Sequence, residues 1–230
     1  MQWEAVIEWG KGKMLRSDEA PLEIGYRWHH GRRVANLALE LARVEALTVD
    51  REVLYIGALL HDVGKAGYQG KEHGPRGARL IEEQIPHLFG RDELRQVTSI
   101  VANHYQRPKS KYLRDQPHPG WPPEVLLVQD ADTLDHFGAN GIWINHHWAA
   151  LERRNQAESI ARYYGVEKAW RQEALQALNY PAAVEELKQR IAFMDSFMRH
   201  WQREEQGLLI GFEGKRQSPN GCHPGRSKGL

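Results

Sequence analysis

The stretch Leu59-Leu60-His61-Asp62-Val63-Gly64-Lys65 decides how the chain is read. It closes the apolar run from Val53 to Leu60, which is hydrophobic nearly all round and therefore reads as a central, buried helix. An imidazole and a carboxylate stand side by side at its end. Consecutive helical residues point about 100° apart, so these two meet at one ion only where the helix end faces a buried cavity. A buried Asp needs a partner or a metal, because an isolated charge in apolar surroundings is costly. At the other end Asp50 reads as the N-cap, with Glu52 in the first turn. Gly64 reads as the C-terminal stop.

Working outward, a helix is expected from about Ile24 to Leu47. His30, Val34, Leu37, Ala38 and Leu41 recur there at three- and four-residue steps, which puts His30 on the core-facing stripe. Downstream, a glycine-rich connection from Gly67 to Gly77 leads through His73 into a helix bearing Ala78, Leu80, Ile81 and Ile85, ended by Pro86. A helix from about Asp92 to Tyr105 sets His104 beside Val97, Ile100 and Val101, and Pro108 stops it. Glu124 to Phe137 aligns Val125, Val128, Asp132 and Asp135, before Gly138 and Gly141 interrupt. One long polar helix follows, then two more beyond about Gly165, the last opening at Pro181. No segment reads as a strand, a repeat or a nucleotide-binding glycine loop, so the fold class is all-α.

The 230 residues suffice for one domain with a sizeable core, and 41% hydrophobic with 27% charged content is ordinary for a globular protein. The expected organisation is a single helical domain over 1–206, with a core at about 24–145 and further C-terminal helices at about 146–206. The glycine-rich segment 207–230 is expected to be a disordered tail. A net charge of +1 gives no drive toward nucleic acid or anionic membrane. No apolar run approaches the ~18 residues of a membrane span. Cys222 is the single cysteine, which excludes a disulfide framework and a cysteine-ligated zinc. Met1 to Lys13 includes Glu4 and Glu8 and lacks a signal peptide's apolar core, so a cytoplasmic setting is expected. A homo-oligomer is compatible with all of this. The loop 106–123 holds prolines at 108, 117, 119, 122 and 123 and the cations Arg107, Lys109, Lys111 and Arg114. It reads as a basic lid over an anionic substrate or, equally, as solubilising charge.

His30, His61-Asp62 and Asp132 come from separate helices, each beside apolar residues. Each has a plainer reading as a satisfied core histidine or an ion-paired acid. Taken together they make a mixed nitrogen and oxygen set that suits Mn²⁺, Fe, Co²⁺, Ni²⁺ or Mg²⁺ better than structural zinc. Lys65 stands where it would meet the charge of a phosphoryl oxygen.

His30 with Arg33-Val34, the string Leu59 to Lys65, and Asp130-Ala131-Asp132-Thr133-Leu134-Asp135 together resemble the HD-domain superfamily of metal-dependent phosphohydrolases, in its small stand-alone bacterial form. The likeness covers about 24–145 and implies an HD-domain helical bundle with additional C-terminal helices. It implies His30, His61, Asp62 and Asp132 as metal ligands, with Asp62 and Lys65 catalytic and Lys65 and Arg33 binding substrate. His73 and His104 fall where relatives with two ions carry extra histidines, so one or two divalent ions are implied, with phosphate contact as the other use of this pair. Asp130 and Asp135 are expected to hold histidines or arginines in place.

The implied reaction is hydrolysis of a phosphoester or phosphoanhydride of a small phosphorylated compound, a nucleotide being the expected class, by metal-activated water. Gln106-Arg107-Pro108 departs from the string found in cyclic-dinucleotide phosphodiesterases, which weighs against that substrate. The alternatives are a di-iron, O₂-dependent oxygenase of the same scaffold and a non-catalytic ligand sensor. His29, His136, His146 and His147 receive no role, and Trp28 and Trp121 are read as packing.

Overall fold

The computed structural model describes residues 1–15, 24–68, 70, 72–106 and 120–209. In it the apolar run becomes α3 (Arg51–Leu60), whose Leu54, Ile56, Leu59 and Leu60 are fully buried. Asp50 caps it as expected: its carboxylate accepts the N–H of Glu52 at 3.0 Å and of Val53 at 3.1 Å. Around α3 pack α1 (Trp3–Met14), α2 (Tyr26–Val44), α5 (Arg91–Asn103) and α6 (Pro123–Asp135). α4 (His73–Gln84) lies on α5, and α6 also packs along α2. The apolar stripes predicted for these helices face inward, with Val34, Ala38, Ile100, Val125 and Val128 all buried.

The C-terminal part consists of α7 (Ala139–Leu151), α8 (Gln156–Tyr164), α9 (Val166–Ala177) and the long α10 (Pro181–Glu205). α10 runs against α6, α7, α8 and α9 and buries Leu187, Met194 and Met198, three residues of the stripe read from sequence as packing. Every regular element among the described residues is helical, so the fold is all-α. None of these helices is long and apolar enough to cross a membrane.

Four boundaries differ from expectation. α4 starts at His73 itself rather than beyond the glycine-rich connection. The helix bearing His104 stops at Asn103, leaving His104 at its C-cap. The expected long polar helix is two, because Asn155 and Glu158 form a reciprocal cap: Glu158 N–H donates to Asn155 Oδ1 at 2.8 Å, and Asn155 N–H to Glu158 Oε2 at 2.9 Å. Gly64 does not end α3, which closes at Leu60; it lies in the short 3-10 turn Val63–Lys65. Its need is steric, since a Cβ there would collide with the carbonyl of His73. Trp28 and Trp121 pack on the core, as expected. Pro108, the cations at 107–114 and the segment 210–230 lie outside the described residues.

Candidate metal centre

The centre begins where α2 crosses α3. A Cβ at Gly31 would run into the carbonyl of Leu59, so only glycine allows this approach, and the approach sets His30 beside His61. Their Nε2 atoms lie 3.1 Å apart. The close seat of α4 on Gly64 does the same for His73, whose Nε2 comes within 3.1 Å of His104 Nε2.

The other ring nitrogens decide what these atoms are. His61 Nδ1 donates to the Ala58 carbonyl at 2.7 Å, and His104 Nδ1 to the Val101 carbonyl at 2.8 Å. Both histidines stand at helix C-termini, where the last carbonyls are under-used by the helix itself. His30 Nδ1 donates to Asp135 Oδ2 at 2.7 Å. Arg33 grips the same carboxylate through Nε at 2.8 Å and Nη2 at 3.0 Å, and Asn140 Nδ2 donates to it at 3.0 Å. A neutral imidazole protonated at Nδ1 has a bare lone pair at Nε2. His30 and His61 therefore turn two acceptors toward each other, which only a cation or a proton between them makes favourable.

Asp62 sharpens the case. Its Oδ2 accepts from Lys65 Nζ at 2.8 Å and Arg27 Nη1 at 3.0 Å. Its Oδ1 is buried with no hydrogen bond to any of the described residues and faces the Nε2 atoms of His61, His73 and His104 at 3.7, 3.6 and 3.5 Å. Burial works against its charge, yet the Lys65 ammonium, with the Arg27 guanidinium, holds the carboxyl well below the usual carboxylate range. An ionised, unbonded oxygen in this setting calls for a positive charge.

The donor atoms form two triangles. His30 Nε2, His61 Nε2 and Asp132 Oδ1 have sides of 3.1, 3.2 and 3.8 Å. Asp62 Oδ1, His73 Nε2 and His104 Nε2 have sides of 3.6, 3.5 and 3.1 Å. Ligands about 2.1 Å from one ion lie roughly 3.0 to 3.4 Å apart, depending on the angle between them. Three of the six sides fall at or near that range and the others are a few tenths of an ångström longer. The donor atoms of His30, His61 and Asp62, and those of Asp62, His73 and His104, all lie within 4.8 Å of one another, so the residues present suit a divalent ion on either side of Asp62.

Burial keeps two of the imidazoles in ligand form. It lowers His61 to about 3 and, with the neighbouring His104, His73 to about 4. His30 is the exception. Burial would lower it, but hydrogen bonds to Asp132 and Asp135 outweigh that and raise it to about 9. His30 Nε2 stands 3.2 Å from Asp132 Oδ1, so a proton held on that nitrogen would compete with an ion for the same place.

The structure brings together His30, His61, Asp62, Asp132, His73, His104 and Lys65. Arg33 is engaged with Asp135, which holds His30 as the sequence suggested. Asp130 points away from the two triangles, toward the start of α10. It accepts the backbone N–H groups of Asn179 and Tyr180 between α9 and α10.

Sequence reasoning missed Arg27, although its place three residues before His30 puts both on one helix face. It also missed Arg76, which donates to the carbonyls of Gly64 and Ala66 and braces the turn carrying Lys65. His136 was left without a role. Its ring packs 5.2 Å from that of His30, while its Nδ1 donates to the Asp132 carbonyl.

The family model for the HD domain matches residues 27–136. Among curated proteins, a bifunctional uridylyltransferase/uridylyl-removing enzyme of Mycobacterium tuberculosis is 26% identical over 144 residues, a match covering 58% of this chain and 18% of that relative. The chain therefore spans less than a fifth of that protein's length. Among solved structures, an HD-superfamily hydrolase from Bacillus thuringiensis superposes with a TM-score of 0.62 at 24% identity, over 89% of this chain and 97% of the other. Bacillus subtilis YpgQ in complex with ADP gives 0.62 at 21% identity, over 91% and 96%. At such identities the likeness to these two structures is one of fold.

Proposed function

This chain belongs to the HD-domain superfamily, and from that premise we propose that it is a metal-dependent phosphohydrolase cleaving a phosphoester or phosphoanhydride of a small compound, most suitably a nucleotide. One observation carries the reading: the ionised Asp62 turns an unbonded oxygen to three imidazole nitrogens while Lys65 and Arg27 occupy its other oxygen. That arrangement pairs a cation site with a cationic rim, and phosphoryl transfer to water uses both.

His30, His61 and Asp132, with Asp62, would hold one divalent ion of the Mn²⁺, Fe²⁺, Co²⁺, Ni²⁺ or Mg²⁺ group; Asp62, His73 and His104 would hold a second. When bound, such an ion supplies a Lewis acid and brings the pKa of water toward neutrality. The protein's own groups do the rest. Asp135 fixes the tautomer and direction of His30. Arg27 and Lys65 keep Asp62 ionised and aimed. Lys65, 29% exposed at the rim, meets the phosphoryl oxygens and offsets charge as the leaving group departs. Arg33 is assigned to Asp135 rather than to substrate.

Nucleotides are favoured because YpgQ was solved with ADP and the mycobacterial relative is a uridylyl-removing enzyme. The same six ligands would also suit a di-iron centre for O₂-dependent oxidation, but the Lys65 rim favours an anionic substrate. The test is a screen of Mn²⁺- or Co²⁺-loaded protein against nucleoside mono-, di- and triphosphates and a nucleotidyl phosphodiester. Metal-dependent release is expected, and Lys65→Ala should lower kcat/KM about 10- to 100-fold, the worth of a charge-assisted contact. Oxygen uptake without phosphate release, or equal release by His61→Ala, would overturn the assignment.

A further inference from the structure

Gln129 is wholly buried on α6, one turn before Asp132, so the two share a helix face. Both donors of its side-chain amide are used, and its oxygen accepts as well. Nε2 donates to the carbonyls of Asn103 and Gln106, each at 3.1 Å, and Oε1 accepts from Asn179 Nδ2 at 3.2 Å. Asn103 and Gln106 flank His104, which stands just past the end of α5. Within the backbone, that turn is closed by Gln106 N–H donating to Asn103 O at 3.1 Å. The amide clamps the turn from both sides of the histidine.

Asn179 in turn is locked. Its backbone N–H donates to Asp130 at 2.9 and 3.0 Å and its Nδ2 to Asp130 Oδ1 at 2.8 Å. Asn179 lies between α9 and α10, beyond the residues matched by the HD domain.

We propose that Gln129 is a positioning residue that sets the height of His104 in the Asp62–His73–His104 triangle, with Asn179 from the C-terminal helices fixing the amide's direction. One helix then serves both triangles, giving Asp132 to the first and bracing the second through Gln129. A wholly buried amide with both N–H donors committed has none left to offer an anionic substrate. Its place is structural in contact and functional in consequence, because ligand braces of this kind govern ion affinity. The proposal rests on reading Asp62, His73 and His104 as a second ion position.

The experiment titrates the full-length protein with Mn²⁺ by calorimetry, alongside electron paramagnetic resonance of the bound ions. Wild type should take two ions and show a spin-coupled pair. Gln129→Met, which keeps length and burial, should raise the second dissociation constant about 10- to 100-fold. It should leave the first unchanged and show an isolated-ion spectrum at Mn²⁺ concentrations that saturate wild type. Asn179→Ala, at a partly exposed position, should do the same to a smaller degree and serves where Gln129→Met fails to fold. Two ions with unaltered constants in both variants, or equal weakening of both constants, would overturn the positioning role alone. A single ion in wild type would overturn the second position itself, and the brace with it.

Discussion

α3 carries an aspartate near each end, and the fold uses the two in opposite ways. Asp50 is exposed and is satisfied by the N–H groups of residues two and three places on. Asp62 is buried and draws its surroundings from α2, the 3-10 turn, α4 and the end of α5, through Arg27, Lys65, His73 and His104. All of the polar need at the first end is met locally. At the second, distant residues leave one oxygen unspent. A helix end built for stability closes its account with its own backbone, whereas one built for chemistry keeps an acceptor open.

The strongest way to break this contrast is to delete the open end. Asp62→Ala is expected to abolish metal-dependent turnover and to weaken ion binding at both triangles, because one oxygen faces ligands of each. Mn²⁺ titration and phosphate release on the same preparation would check it, with circular dichroism to establish folding. Loss of only one ion would show that Asp62 does not lie between the two positions.

Much of this was legible in the sequence, and the reason is periodicity. His30 and His104 stand on apolar stripes, whereas Asp132 was told from Asp130 by the resemblance to the HD pattern; the structure then sets the two apart, as residues two places along a helix point about 200° apart. Asp132 looks into the centre, while Asp130 looks toward Asn179. What escaped was what leaves no period. Gln129 reaches carbonyls far away in sequence, Arg76 braces a turn from another helix, and Gly64 acts through a collision avoided rather than a turn made. The Asn155–Glu158 cap was readable from its spacing, but the surrounding polar run hid it.

The two triangles should also part company with pH. His30 in the bare protein is raised to about 9, so below that it carries a proton which an ion must displace. Affinity at the first triangle should therefore rise with pH, about tenfold per unit for one proton released, and level off above about 9. His73 is lowered to about 4 and is already neutral across this range, so it adds no such slope at the second triangle. The same shift bears on folding without metal. A histidine raised in the folded state contributes stability that is full below its ordinary value of 6.5 and is lost as pH rises through about 9. Calorimetric titrations with Mn²⁺ from pH 6 to 9 would reveal the slope. A flat first constant would mean that no proton sits between His30 and Asp132.

The smallest effect belongs to the closed end. Asp50→Ala removes the acceptor for two N–H groups at the start of α3, and an N-cap of this kind is worth about 1 kcal/mol. Water can reach the Glu52 N–H at this exposed end, although Val53 itself is buried, which keeps the cost near that value rather than at the higher cost of a fully buried loss. Ten helical residues separate it from the centre, about 15 Å along the axis, so neither Mn²⁺ constant should move. Urea melts of wild type and variant, run beside Mn²⁺ titrations, test both halves of the statement. Weakened ions in Asp50→Ala would mean that α3 transmits disorder from its cap to His61 and Asp62, and that its two ends are not independent.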